Sequence, residues 1–308
     1  MPYKAITLKK DIDIDYLVTI HYFEYMNTFT YAGESHDFWE FLCVDKGEVE
    51  VYNGQSWQVL KKDEIIFHKP MEFHSLRANG VVAPNLVVIS FGCSSPVMSY
   101  FENKVLTVNE FQCNLLSSII HEARNTFSCT LDDPYTTEMT LREPECFASQ
   151  QLIKLYLEHF LIDLYRQGSL HDISGTTKVT TFLKERTDSD TLQRIQSYFE
   201  NNLCRPLCIE DICKDNLISY SKLKLLFHER YNCSVLEYFN QLRIGYAKQL
   251  IRENSMNVSE VAFFLGYSSI HYFSRQFKNI TGMSPTEYSA SIMIRSEVDN
   301  SFIFTLSV

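Results

Sequence analysis

A segment near the carboxyl end of the sequence concentrates side chains that can donate hydrogen bonds to nucleic acid. Between Ser268 and Thr281 the chain contains no acidic residue. The donor-bearing positions of this segment are Ser269, His271, Ser274, Arg275, Gln276 and Lys278. Arginine, glutamine and lysine donate to base edges in the DNA major groove and to phosphate oxygens. The segment is therefore a candidate DNA-reading surface, and the alternative is an ordinary solvated helix in a helical hairpin.

The residues around this segment predict a helix, a tight turn and a second helix. Asn257 and Glu260 have the spacing of a capping box. Gly266 can take the positive φ that ends a helix, and either of the next two serines can cap the second helix. The second helix would turn three apolar residues inward at helical spacing: Ile270, Phe273 and Phe277.

An earlier segment repeats this arrangement in a weaker form. Residues 209–216 predict a short helix, and Ser219 begins another that has apolar residues at helical spacing. The polar residues on its outer side are Ser221, Lys222 and Lys224, and Arg230 follows near its end. Residues 236–254 predict one long helix that would connect the two pairs and hold them rigidly apart.

The later segment closely resembles the second helix-turn-helix of the AraC/XylS family of bacterial transcription factors. The matching residues keep the family's order and spacing: Val261-Ala262, Gly266-Tyr267, Phe273-Ser274-Arg275, Phe277-Lys278, Gly282, Ser284-Pro285 and Tyr288. The resemblance implies a regulator that binds double-stranded promoter DNA. Its second helices would read base edges, while Arg230 and Lys278 would hold phosphates.

The first motif departs from the family pattern at several positions. Cys213 replaces a small alanine, and Leu217 stands where a turn glycine is common. We therefore expect Asn216 to take the left-handed conformation instead. Leu225 lies where some family members have a base-contacting arginine. The second motif is accordingly predicted to keep the more family-like reading face.

Residues 1–105 predict several short strands that are separated by turn residues. Segments such as 38–44 and 86–91 are rich in β-branched and aromatic residues, and Asn53-Gly54 is a strong hairpin signal. This spacing predicts an all-β barrel or sandwich. The block also resembles the small cupin barrel that many members of the family carry as a sensor.

The cupin resemblance draws attention to a few polar residues at one end of the predicted barrel. The motif has a glycine, two histidines, a glutamate and a closing glycine. This chain has Glu34, His36, Glu40 and Gly47 in that order, and His74 follows later. Three interpretations stay open for these groups: an incomplete metal site, polar groups satisfied at strand ends, or contacts to a small-molecule effector. We predict no metal and no cofactor, and we assign effector binding to His36, Trp39, Glu40 and His74.

Two amphipathic helices follow the strands, within residues 109–127 and 149–167. They either cover the barrel or build a homodimer interface, as such helices often do in the family. The predicted fold class is α+β. The predicted segments are a sensing barrel at 1–105, helices at 106–167, a linker at 168–190, a double helix-turn-helix domain at 191–288 and a tail at 289–308.

Charge and cysteine usage limit the classes of function. The net charge is −10, but residues 190–308 carry 12 basic and 12 acidic residues, so this part is neutral overall. A neutral domain predicts modest non-specific affinity for DNA. The nine cysteines form no CxxC pair, which is typical of a reducing cytoplasm. The first residues lack an apolar signal segment, so we predict neither secretion nor a membrane span.

The leading interpretation is a regulator rather than an enzyme. The resemblance implies an activator that contacts RNA polymerase and responds to a sugar or a related metabolite. One alternative is a cupin-type metal-dependent enzyme with an appended helical domain. Another is an interaction protein that has lost DNA binding, and Leu225 is the one observation in its favour.

Overall fold

The computed structural model describes residues 3–134, 136–170 and 182–292. The chain divides into two compact units, residues 1–175 and 176–308. Most of the predicted tail, residues 293–308, and the middle of the predicted linker, residues 171–181, lie outside the described residues. Within the described ranges, no helix has the length and apolar character that crossing a membrane requires.

In the described part of the amino-terminal unit, nine strands come first. Their bounds are β1 (Tyr16–Glu24), β2 (Thr30–Glu34), β3 (Trp39–Lys46), β4 (Glu48–Tyr52), β5 (Trp57–Lys61), β6 (Glu64–His68), β7 (His74–Arg77), β8 (Asn85–Gly92) and β9 (Val105–Thr107). A 3₁₀ helix, Pro96–Phe101, lies between β8 and β9. The predicted strands are therefore present at the predicted spacing.

These strands form two sheets, and the sheets are not closed into a barrel. One sheet has the order β1-β8-β3-β6-β9 and the other has the order β2-β7-β4-β5. The neighbouring strands in both sheets are antiparallel. The predicted cupin-type barrel is thus not confirmed. Turn spacing predicts antiparallel strands, but closure depends on strand tilt and stagger, which turn spacing does not encode.

The five-stranded sheet is buried on both faces, so the amino-terminal unit has three layers. Along β3, Leu42 and Val44 pack with residues of the four-stranded sheet. Phe41 and Cys43, which alternate with them, pack in a second core with the helices that follow. Because successive strand residues point to opposite faces, a strand that is buried on both sides is continuously apolar.

Two helices cover the outer face of the five-stranded sheet: α1 (Glu110–Thr126) and α2 (Ser149–Leu170). Asn109 and Gln112 form a capping box that fixes the start of α1. Buried residues of both helices, such as Ile119 and Phe160, join the sheet core. Both helices therefore provide core cover, and a dimer interface on either of them stays a prediction.

The described residues of the carboxyl-terminal unit form six helices and one further helical stretch. Their bounds are α3 (Phe182–Glu200), α4 (Ile209–Asp215), α5 (Tyr220–Tyr231), α6 (Val235–Arg252), α7 (Val258–Phe264) and α8 (Ile270–Thr281), and residues 285–292 are also helical. α2 and α3 both extend into the predicted linker at 168–190, since residues 168–170 and 182–190 are helical.

α6 connects two small hydrophobic cores, as the sequence predicted. Its first half contributes Val235 and Phe239 to a core shared with α3, α4 and α5. Its second half contributes Ala247 and Leu250 to a core shared with α7 and α8. Since one continuous helix enters both cores, it holds the two helix pairs in a fixed relation.

Each helix pair is the same helix-turn-helix, built with the same local devices. Serine N-caps begin α5 and α8, left-handed residues end them, and a Ser-Glu capping box follows each. These residues are Ser219 and Ser269, Asn232 and Gly282, and Ser234–Glu237 and Ser284–Glu287. Because the two helices begin and end at equivalent residues, Leu225 occupies the same place in α5 as Arg275 does in α8.

The turn of the first motif contradicts one prediction. Leu217 has a φ of 50°, where the second motif has Gly266 at 73°, whereas Asn216 has a φ of −101°. Asn216 is buried, and its side-chain amide donates to the Ile212 carbonyl at 2.9 Å. The core of the motif therefore uses the Asn216 side chain, and the left-handed turn falls on the next residue.

Leu217→Gly is expected to raise the free energy of unfolding by about 0.5–1 kcal/mol. A left-handed leucine costs roughly 1–2 kcal/mol, part of which the greater freedom of glycine in the unfolded chain offsets. The Leu217 side chain is 92% exposed, so its removal forfeits little packing. Urea unfolding followed by circular dichroism measures the change. Leu217→Ala removes the same side chain but keeps the strained backbone, so equal gains in both variants would refute the backbone argument.

Candidate nucleic-acid interface and polar cluster

α8 is fixed by caps at both ends and by two buried aromatic rings. The Ser269 hydroxyl accepts a hydrogen bond from the Tyr272 backbone at 3.2 Å, which satisfies one of the amides that a first helical turn leaves unpaired. Phe273 and Phe277 are fully buried, and Gly282 ends the helix. Each buried ring stabilises the fold by about 2–3 kcal/mol. The helix and its cap match the sequence prediction.

The outward face of α8 is centred on Arg275. At about 100° of rotation per residue, Arg275 points almost opposite to Phe273 and Phe277. Arg275 and its neighbours on this face, His271 and Lys278, are exposed. With no acid on the helix, this face can present donors to an anionic, acceptor-rich surface.

Three other predicted contacts of α8 lie nearer the rim of this face. Ser269 is half-buried, and its hydroxyl is engaged as the N-cap. Ser274 is half-buried on the side of the core. Gln276 is half-buried and donates to the Tyr272 hydroxyl at 3.3 Å. These three residues are therefore less available for direct contact with DNA than Arg275, His271 and Lys278.

Tyr272 belongs to this face although the sequence analysis did not select it. Its side chain is 40% exposed, and the Arg275 guanidinium carbon lies 5.4 Å from its ring centroid. It also accepts the hydrogen bond from Gln276. Tyr272 thus restrains both donors, because a guanidinium near an aromatic face is attracted to the ring. The sequence signal that could have identified Tyr272 is its position three residues before Arg275, because residues three apart are neighbours on a helix.

α5 presents a different outward face. Ser221, Lys224 and Arg230 are exposed, and Lys222 is half-buried. The place equivalent to Arg275 is taken by Leu225, whose side chain is 50% exposed. An apolar side chain at this point cannot donate to a base edge. The outward face of α5 therefore offers mainly lysine and arginine side chains suited to phosphate. The outward face of α8 instead has an arginine at its centre, whose guanidinium can donate two hydrogen bonds at once.

Arg243 ties the two motifs together through backbone carbonyls. It lies buried within the apolar stripe of α6, and its guanidinium donates to the carbonyls of Leu203 and Leu265. The same group stacks on Tyr267, with its carbon 4.0 Å from the ring centroid. Burial lowers the pKa of Arg243 below its usual value. An arginine at an apolar helical position signals such a structural role, which the sequence analysis had not assigned.

A second group of candidate site residues lies between the two sheets of the amino-terminal unit. Strand register places Glu40 beside His68 and Ser90 on the five-stranded sheet, and places Glu34 beside His74 on the other. His36 follows β2 in the connection to β3. One potential ligand atom from each of Glu34, His36, Glu40 and His74 lies within 4.8 Å of the others. We name these four residues the inter-sheet cluster.

The structure separates Trp39 from this cluster. Trp39 alternates with Glu40 along β3, and its ring packs in the core between the five-stranded sheet and the helices. Side chains next to each other in a strand point to opposite faces. The structure thus brings together three of the four residues assigned to effector binding and places Trp39 on the other side of the sheet.

The charge state of Glu40 is set by its neighbours. Burial alone would raise its pKa, but His74, Ser90 and His68 together lower the pKa to about 2. Burial would likewise lower the pKa of His74, and the Glu40 carboxylate raises it above its usual value. Burial lowers the pKa of His68. Glu40 is therefore a buried anion at neutral pH.

A cleft of about 450 Å³ lies between the five-stranded sheet and α1. Among its lining residues are Tyr22, Asp45, Asp63, Cys113 and Arg124. Tyr22 donates to the Asp45 carboxylate at 2.6 Å. Burial and Asp63 raise the pKa of Cys113 to about 12, so its thiol stays protonated at neutral pH. The volume falls in the range of sites that take small organic molecules.

The carboxyl-terminal unit matches a known domain family. Residues 212–291 match the family described as a helix-turn-helix domain. Over 105 residues the chain is 28% identical to the HTH-type transcriptional activator RhaR of Mannheimia succiniciproducens, which covers 34% of this chain and 38% of that protein. The RhaR of Yersinia pestis bv. Antiqua (strain Angola) is 32% identical over 111 residues, and this match covers 36% of this chain and 38% of that protein. The chain thus spans about two fifths of the length of these relatives.

Other similarities extend over more of the chain at lower identity. The RhaR of Salmonella schwarzengrund is 20% identical over 304 residues, which cover 94% of this chain and 97% of that protein. The crystal structure of ToxT from Vibrio cholerae O395 is 17% identical, covers 90% of this chain and 98% of its own, and has a TM-score of 0.34.

Proposed function

We propose that residues 212–291, which match a helix-turn-helix domain family, form an AraC-type DNA-binding domain and make this protein a sequence-specific DNA-binding transcriptional regulator. The observation that carries the proposal is the outward face of α8. Arg275 stands at its centre, exposed and opposite the buried rings, and the helix has no acid to repel phosphate. Such a face fits the major groove, where an arginine fork can donate to both guanine acceptors.

The two recognition helices, α5 and α8, have unequal roles in this proposal. α8 supplies base contacts through Arg275 and His271, with Ser274 at the rim, and Lys278 holds phosphate. α5 contributes Ser221, Lys222, Lys224 and Arg230, which position the protein on the backbone. Phosphate contacts fix register and orientation, whereas base-edge contacts carry sequence information. Leu225 at the centre of α5 supports this division.

Salt dependence of binding tests the phosphate-holding part of the proposal. The recognition helices carry five basic residues besides histidine: Lys222, Lys224, Arg230, Arg275 and Lys278. If roughly four of them meet phosphates, affinity falls about 100-fold between about 50 and 200 mM salt. Fluorescence anisotropy with labelled duplex measures the slope of log affinity against log salt.

A pair of lysine variants makes the salt experiment specific. Lys224→Ala is expected to reduce the salt slope by about one, because one phosphate contact is lost. Lys4→Ala removes an exposed lysine of the amino-terminal unit and is expected to leave the slope unchanged. Identical slopes for the wild type and Lys224→Ala would remove Lys224 from the interface.

The remaining parts of the proposal concern regulation. The names of the relatives support an activator, which would act together with RNA polymerase. A small-molecule effector, such as a sugar, fits the volume of the cleft between the five-stranded sheet and α1. A homodimer through α1 or α2 completes the proposal. The relatives' names give no support to the alternative of a cupin-type enzyme.

A further inference from the structure

Three histidines around the inter-sheet cluster have one ring nitrogen anchored and the other left without a hydrogen-bond partner. His36 Nδ1 donates to the Phe38 carbonyl at 3.0 Å, and His74 Nδ1 donates to the Glu72 carbonyl at 3.1 Å. The third, His68, has its Nδ1 3.0 Å from the Glu72 carboxylate. With the proton held on Nδ1, Nε2 of a neutral ring carries a free lone pair.

The unpartnered nitrogens are buried, which weighs against the interpretation as satisfied strand-end groups. Nε2 of His36, His68 and His74 is shielded from solvent and makes no hydrogen bond among the described residues. His74 Nε2 lies 3.2 Å from Glu40 Oε1, which is an ion-pair distance if the ring is protonated. Each unsatisfied buried polar atom costs about 1–3 kcal/mol. A ligand that accepts these lone pairs would remove that cost.

The spacing of the cluster fits a small cation. His36 Nε2 and His74 Nε2 lie 3.7 Å and 3.2 Å from the two Glu40 oxygens. An ion with bonds of about 2.0–2.1 Å holds tetrahedral ligand atoms roughly 3.4 Å apart. Glu34, which is exposed, can supply a fourth ligand atom, a carboxylate oxygen, from the solvent side. The donor set is therefore two imidazoles and one or two carboxylates, whose ligand atoms lie within 4.8 Å of one another.

The outer contacts are those that metal-binding side chains require. Ser90 donates to Glu40 Oε2 at 2.7 Å and itself accepts from Thr19 at 3.0 Å. His68 stacks on His74 with centroids 4.2 Å apart and an interplanar angle of 10°. Together with the Nδ1 anchors, these contacts fix the rotamers of the ligands before any ion arrives. Such outer contacts orient ligands and fix the histidine tautomer.

We propose that the inter-sheet cluster binds a divalent first-row transition-metal ion through His36, His74 and Glu40, with Glu34 at the solvent-facing position. Imidazole and carboxylate donors together suit Zn²⁺, Fe²⁺ or Co²⁺, whereas Mg²⁺ and Ca²⁺ prefer all-oxygen sites. The site joins the two sheets, since Glu40 belongs to one sheet and His74 to the other. It is independent of the DNA-binding proposal.

Titration of the chelator-treated full chain with Co²⁺ tests this site without DNA. We expect one ion per chain, with visible d–d absorption of nitrogen and oxygen ligation, displaced by Zn²⁺ and not by Mg²⁺. The nine cysteines make thiolate binding the main competitor. Sulfur-to-cobalt charge-transfer bands, or no saturable Co²⁺ binding at all, would overturn the proposal.

Three variants separate this site from any other. Glu40→Gln is nearly isosteric, and His36→Ala truncates the least buried histidine of the three, so we expect both variants to fold. Each variant loses a direct ligand and is expected to bind Co²⁺ roughly 100-fold more weakly. That loss is at or above the largest effect of removing a residue that only contacts a ligand. His159→Ala removes an exposed histidine of α2 and is expected to bind as the wild type does. Far-UV circular dichroism without metal checks each fold. Undiminished Co²⁺ binding by Glu40→Gln or His36→Ala would contradict the assignment of these residues as ligands. If either variant fails to fold, the Co²⁺ absorption spectrum of the wild-type protein still tests the site.

Discussion

Arg275→Ala is expected to weaken binding to target promoter DNA by about 10- to 100-fold while leaving the stability of the fold unchanged. A good bidentate contact to a base is worth about 1–3 kcal/mol of discrimination. Arg275 is exposed on the side of α8 that faces away from the buried rings, so its removal costs little packing. Its guanidinium lies near the exposed ring of Tyr272. The loss should therefore appear in affinity and not in the melting temperature.

Two further variants decide how Arg275 acts. Arg275→Lys keeps the charge but loses the planar fork, so it should recover non-specific binding without recovering preference for the target sequence. Leu225→Ala truncates the residue at the equivalent place of the first motif and should change affinity by no more than about threefold. Equal losses for Arg275→Ala and Leu225→Ala would contradict the unequal roles of α8 and α5. Anisotropy titrations with target and scrambled duplexes provide both numbers.

Gly266→Ala is expected to destabilise the carboxyl-terminal unit by about 3 kcal/mol and to weaken DNA binding with it. Gly266 has a φ of 73°, a region where an alanine costs about 1–2 kcal/mol. An added Cβ would also lie 2.7 Å from the Cys204 carbonyl oxygen, so the backbone would have to move. Overpacking of this kind typically costs a further 1–3 kcal/mol or so. The turn sets the position of α8, which explains the expected loss of binding.

The chain contains a matched control for this substitution. Gly282 ends α8 with a φ of 84°, yet nothing lies within 4 Å of the place where its Cβ would be. Gly282→Ala should therefore cost only the backbone strain, about 1 kcal/mol. Both tryptophans, Trp39 and Trp57, lie in the amino-terminal unit, so their fluorescence should report an unchanged unit while circular dichroism reports the helical one. Equal destabilisation by the two alanines would refute the clash with Cys204.

Local patterns in the sequence predicted those parts of the interface that depend on neighbouring residues. The cap at Ser269, the buried Phe273 and Phe277, and the turn at Gly266 all follow from spacing and from the conformational range of glycine. The exposure of Arg275 follows from the same helical period. These features need no knowledge of distant parts of the chain, because one helical turn contains the information.

The features that escaped prediction depend on contacts between distant segments. Leu217 carries the left-handed turn because the Asn216 side chain is used in the core, which turn propensities do not reveal. Arg243 binds carbonyls 22 and 40 residues away. Closure of the sheets depends on strand stagger, and the face of Trp39 depends on where β3 begins. In each case tertiary packing overrides local preference.

The inter-sheet cluster shows the same division. Its residue types were visible in the sequence, and their order suggested a degenerate cupin motif. What the sequence did not contain is the direction of each ring, which the Phe38 and Glu72 carbonyls set for His36 and His74. That direction turns two unpartnered nitrogens toward one carboxylate. This ring direction favours a metal site over the alternative of polar groups that are satisfied within the protein.

The affinity of the full chain for promoter DNA, relative to scrambled DNA, tests the central claim most directly. Both duplexes should have the same length and be titrated at the same salt concentration, with the promoter taken from upstream of the gene. A sequence-specific regulator is expected to prefer the promoter by at least about 1,000-fold. Equal affinity for the two duplexes would contradict the claim that α8 reads base sequence.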